Sequence, residues 1–174
     1  SQTVFGLVDD GPTGLASATA DADFHGPGRG AGNSVNALLD GWLLTGEQRY
    51  LDYAETLIQR VVHPEEDIDA LDLLDAESRW SYTVFLSALA RYLDIKHEAD
   101  AHDDAFHYGA ASLAHFGRWM LKNERPYFDH VEQLEFPTET WAAQELRKAN
   151  VLRLAAKYCD AEERTAMLKR GDEL

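Results

Sequence analysis

The 174-residue chain carries 45% hydrophobic and 27% charged residues, the balance of one folded domain with its own core and not of a disordered tail. Its formal charge of −15 is spread along the sequence, so the average field repels phosphate and argues against nucleic acid or an anionic membrane surface as partner. The single cysteine, Cys159, excludes an internal disulfide and a CxxC pair, and no apolar run approaches the roughly 18–20 residues of a membrane span.

Residues 1–32 are rich in Gly, Ala, Asp and Thr and end in HGPGRGAG, where Gly and Pro oppose a continuous helix, so they read as a glycine-rich leading segment or loop. Within it, Val4 to Val8 (VFGLV) is at best one short edge strand or bridge. From Asn33 the period becomes helical, with Leu38, Leu39, Trp42 and Leu43 at three-and-four spacing. Thr45 to Gln48 reads T-x-x-Q, a capping box for a second helix carrying Tyr50, Ala54, Leu57, Ile58 and Val61 on one stripe.

His63 to Glu77, with Pro64 and many acids, reads as a connector holding one helical turn, after which Ser78 caps a third helix with the stripe Tyr82, Phe85, Leu86, Leu89, Tyr92 and Leu93. A fourth helix runs from about Asp104 to Leu121 through Phe106, Ala110, Leu113, Gly117 and Met120. Thr138 is expected to cap the fifth and longest helix, on the apolar line Ala142, Leu146, Ala149, Leu152 and Ala156, with Cys159 a small buried residue beyond its end. Asp160 to Glu163 (D-A-E-E) then opens a short sixth helix to about Arg170. The expected fold is all-α: a single domain whose residues 33–174 form three antiparallel helical hairpins, starting near residues 33, 79 and 138.

The stretch GRGAGNSVNALLDGWLLTGEQRYLDYAETLIQRVV, with its turn Thr45-Gly46-Glu47-Gln48-Arg49-Tyr50-Leu51, resembles a hairpin of the (α/α) toroid proteins, the six-hairpin glycosidase-like group that includes polysaccharide lyases. FPTETWAAQELRKAN, Phe136 to Asn150, is similar to the helix-opening segment of such hairpins. Together the two segments cover under a third of the chain. The resemblance implies a partial toroid or helical array of about three hairpins, and a domain of a carbohydrate-active enzyme that hydrolyses or eliminates a polysaccharide or oligosaccharide. The alternative is a non-catalytic scaffold or accessory module binding glycan or protein.

Two constellations carry candidate chemistry. Phe24 to Asn33 sets His25, Arg29 and Asn33 in a glycine-rich loop entering a helix, where a substrate anion can meet helix-end N–H groups; Pro27 and the lack of a βαβ pattern exclude a dinucleotide site. Glu139, Trp141, Gln144, Glu145, Arg147 and Lys148 form the second, an aromatic beside carboxylates that suits sugar stacking and acid–base work. In a hydrolase Glu139 is the candidate acid or base; in a lyase His25 or a tyrosine is the base while Arg29 and Asn33 neutralise a uronate. Trp80, Trp141 and Gln144 are the candidate sugar-contacting residues beside Arg29 and Asn33. His97 to His107 is dense in ligand-type side chains, with Asp103 and His107 able to share a helix face, but it holds no recognised metal spacing, and acids at a helix start need no metal. No metal or other cofactor is expected.

Overall fold

Apolar side chains recurring every three or four positions are satisfied by helix–helix burial, and seven α-helices form among the described residues, which are 7–8, 11–12, 26–135 and 137–174 of the computed structural model. They are α1 (Arg29–Thr45), α2 (Gln48–Val61), α3 (Ala76–Arg79), α4 (Tyr82–Glu98), α5 (Asp104–Asn123), α6 (Thr140–Ala155) and α7 (Ala161–Glu173). Short 3-10 segments stand at Ile68–Leu71, Tyr127–Gln133 and Ala156–Tyr158. Of the expected strand Val4 to Val8, residues 4–6 lie outside the described residues, and Leu7–Val8 forms β1, antiparallel to β2 (Gly11–Pro12). The chain is all-α in class.

Consecutive long helices lie against each other: α1 on α2, α4 on α5, α6 on α7. A second set of contacts runs across the pairs, joining α1, α4 and α6 in one row and α2, α5 and α7 in another. α4 is therefore covered by α1, α5 and α6 together. Tyr82, Phe85, Leu86, Leu89, Tyr92 and Leu93 are all 0% exposed, each large side chain contributing about 1.5–3 kcal/mol of burial.

Several helix ends differ from expectation. α1 begins at Arg29, inside the glycine-rich segment, because Gly32 lets the helix touch α4: a Cβ at Gly32 would stand 2.9 Å from the Phe85 backbone. The T-x-x-Q capping box does not form, since Gly46 adopts φ 69 and ends α1 as a left-handed cap. Thr45 stays in α1, donating to Gly41 O at 2.7 Å and accepting from Glu47 N at 3.1 Å. Nor is Ser78 a cap: Asp75 accepts the Ser78 N–H to open α3, and α4 starts at Tyr82. Thr138 is likewise one residue too early, with Glu139 in the N-cap position of α6. α6 has 16 residues and α5 has 20, so α5 is the longest helix described. Asp160 does cap α7, accepting from Glu162 N and Glu163 N, and Cys159 is buried with its Sγ 3.5 Å from Ala155 O.

Candidate functional site

The α3 turn, ending at Trp80, faces the segment that opens α6. The result is a groove of about 320 Å³ lined by Glu77, Trp80, Thr138, Thr140, Trp141 and Gln144. Three of the sequence-predicted residues, Trp80, Trp141 and Gln144, meet there. Trp80 is half-buried, with the Arg147 guanidinium 5.6 Å from its ring centroid, inside cation–π range. Arg147 also donates to Gln144 Oε1 at 3.2 Å. Trp141 is buried at 7% exposure and its ring meets Tyr127 at 4.7 Å, so it serves as a wall more than an open platform. Glu77 accepts the Glu135 N–H at 2.7 Å, and the Thr138 and Thr140 hydroxyls share a hydrogen bond of 2.7 Å.

The other predicted residues stand around this groove or outside the described chain. Glu139 is exposed between the two lining threonines but does not itself line the groove. Arg29 opens α1, where its backbone N–H donates to Ser81 Oγ at 3.2 Å; it and Asn33, one turn on, are exposed and are not part of the lining. His25 lies outside the described residues.

Behind the Tyr127–Trp141 wall is a second cavity, about 260 Å³, whose lining includes Leu74, Glu124, Tyr127, His130, Leu134 and Lys148. The sequence reading left Glu145 and Lys148 on the polar face of α6, yet both point inward, at 7% and 1% exposure. Lys148 Nζ sits 2.7 Å from Glu124 Oε2 and 3.7 Å from Glu145 Oε1, donates to Arg125 O at 2.8 Å, and lies 3.2 Å from the Tyr127 ring centroid. Tyr82 donates its hydroxyl to Glu124 Oε1, and the Tyr127 N–H donates to Glu145 Oε1, leaving Glu145 Oε2 buried without a partner. Burial raises the Glu145 pKa, against the pull of Lys148 and the Tyr127 N–H. Burial and then the Glu124 carboxylate push Tyr82 well above the ordinary phenol value, so its hydroxyl is a donor and not a base at neutral pH. The cluster ties the 124–134 segment to α6 and thereby holds one wall of the groove.

Comparisons with protein-family models, curated proteins and solved structures find no match. The chemistry of the site therefore rests on its residues. Glu124, Tyr82 and Tyr127 were missed because they enter from three separate elements. Trp141, Glu145, Lys148 and Leu152 do share one helical line, at steps of four, three and four, and that spacing was the available signal. The apolar line taken instead is partly outward: Ala142 is exposed and Leu146 is 70% exposed.

Proposed function

We propose that this chain is a helical domain of carbohydrate-active type, whose groove between α3 and the start of α6 holds a segment of polysaccharide or oligosaccharide. The observation that carries the reading is the meeting of the half-buried Trp80 ring with the Gln144 amide, the Glu77 carboxylate and two threonine hydroxyls around one groove. Sugars present apolar C–H faces edged by hydroxyls, so an indole beside amide, carboxylate and hydroxyl groups complements both parts. A hydrolytic step needs two carboxylates at controlled separation, for which Glu77 in the lining and Glu139 beside it are the candidate pair. The elimination variant would draw on His25 as base with Arg29 and Asn33 toward a uronate.

A specific observation favours the second reading, a non-catalytic glycan-binding module: Glu77 is already engaged by the Glu135 backbone. Calorimetric titration with soluble oligosaccharides, followed by analysis of the mixture for new reducing or unsaturated ends, separates the two. Trp80→Ala is expected to weaken binding about tenfold or more, as loss of an aromatic hot spot does. Product formation that stops in Glu77→Gln or Glu139→Gln while binding persists supports the enzyme; binding without product supports the module. Oligosaccharide affinity unchanged in Trp80→Ala would remove the groove from the account.

A further inference from the structure

Outside the groove, the ligand-rich stretch His97 to His107 is satisfied internally. His97 Nδ1 and His102 Nε2 meet at 2.8 Å as an N–H···N bond. Asp103 caps α5, accepting from Phe106 N at 3.0 Å, and pairs with Lys96 Nζ at 2.6 Å instead of with His107.

The groove itself is one-sided in charge. Glu77 is the one ionisable side chain in its lining, and no lysine, arginine or histidine among the described residues lines it. Glu77 Oε1 accepts the Glu135 N–H at 2.7 Å, a single bond for a carboxylate that can take about four, and the side chain is exposed to an incoming ligand. Glu135 and Glu139, also exposed, add negative potential on the opposite wall. Glu139 stands in the N-cap position of α6, so the helix end that would otherwise draw an anion already has a carboxylate beside it.

The uncharged lining groups donate or stack. Arg147 donates to Gln144 Oε1 at 3.2 Å, so the Gln144 amide nitrogen keeps its hydrogens for another acceptor. Thr138 and Thr140 share one proton across 2.7 Å, and whichever hydroxyl accepts it still has its own to give. The Trp80 ring already receives one cation, the Arg147 guanidinium, and a ring face that attracts one positive group attracts another. Resting on the saccharide reading above, we propose that the groove selects an amino sugar, a hexosamine unit whose free ammonium meets the Glu77 carboxylate while its ring stacks on Trp80. Its hydroxyls then meet Gln144, Thr138 and Thr140. An N-acetylated sugar keeps the stacking and the hydroxyl contacts and loses the ion pair. A uronate, which the elimination variant requires, would set its carboxylate against Glu77 with no lining cation between them, and such like-charge contacts exclude wrong partners. The net charge of −15 also draws a cationic glycan toward the chain and repels an anionic one.

The full chain is titrated calorimetrically with glucosamine, N-acetylglucosamine and galacturonate oligomers of matched length, at mildly acidic pH where the sugar amine is protonated. The glucosamine oligomer is expected to bind about tenfold tighter than its N-acetylated counterpart, the size of one charge-assisted hydrogen bond, and the galacturonate oligomer not to bind. Glu77→Gln, which keeps an acceptor for the Glu135 N–H, is expected to erase the difference between the first two, and Trp80→Ala to weaken both. Circular dichroism confirms that each variant folds. A glucosamine preference that persists in Glu77→Gln belongs to the general acidity of the surface and overturns the proposal. Equal affinity for the glucosamine and N-acetylglucosamine oligomers, or tighter binding of galacturonate, also overturns it, yet leaves the saccharide groove standing if Trp80→Ala weakens that binding. Binding of none of the three removes the groove together with its selectivity.

Discussion

At the start of α4, Tyr82 donates to Glu124 beside Lys148; near its end, Tyr92 donates to Glu55 at 3.0 Å beside Lys96. Both networks are a lysine between two carboxylates with a tyrosine hydroxyl on one of them. They differ in their surroundings. Around Lys148 the carboxylate side chains are 4% and 9% exposed, whereas around Lys96 they are 21% and 54% exposed. The sealed cluster therefore depends on internal pairing for every charge and still leaves one Glu145 oxygen unpaired, while the open cluster can hand its carboxylates to water. The sealed one braces the groove wall, and the open one ties the end of α4 to Asp103, the N-cap of α5.

The largest expected effect comes from removing each lysine in turn. Lys148→Met leaves two buried carboxylates uncompensated and is expected to cost about 3–5 kcal/mol in denaturant unfolding, against about 1–2 kcal/mol for Lys96→Met, whose carboxylates rehydrate. Equal losses would erase the distinction between the two ends. A smaller effect sharpens it through pH. Because the native Glu145 pKa is raised above the ordinary 4.5, the folded chain keeps a proton that the unfolded chain releases, and stability falls as pH rises from 4.5 through the raised value. Asp103 has the opposite sign: the Lys96 hydrogen bond lowers it below 3.8, so its contribution is full above that value and is lost as pH falls through the lowered one. Glu145→Gln keeps an acceptor for the Tyr127 N–H and is expected to flatten the first slope without touching the second; unfolding midpoints from pH 3 to 8 read both. An unchanged slope in Glu145→Gln would assign the proton elsewhere.

The helices of the central rows were legible because α4 and α5 bury apolar residues at plain helical spacing, with Phe85, Leu89 and Leu93 in one and Leu113, Phe116 and Met120 in the other. α6 was misread because its inward face carries Glu145 and Lys148, which period analysis assigns to solvent, while Leu146 faces out. The start of α1 was missed because glycine propensity opposes helix, and only the tertiary approach of Gly32 to Phe85 reverses it. Trp80, Trp141 and Gln144, picked from the sequence by residue type, do line one groove. Glu77, Thr138 and the Tyr127 wall were not among them, because a one-turn helix such as α3 and the segments before α6 carry too short a period for their neighbours to be read.

Four tryptophans give the groove its most direct test, since Trp80 and Trp141 line it while Trp42 and Trp119 pack against the main core elsewhere. Indole N–H signals followed by ¹H–¹⁵N correlation spectra during oligosaccharide titration are predicted to move for Trp80 and Trp141 and to stay fixed for Trp42 and Trp119. Saturating shifts at Trp42 or Trp119 with Trp80 and Trp141 unmoved, or no shift at any of the four across soluble glycans, would contradict a saccharide groove between α3 and α6.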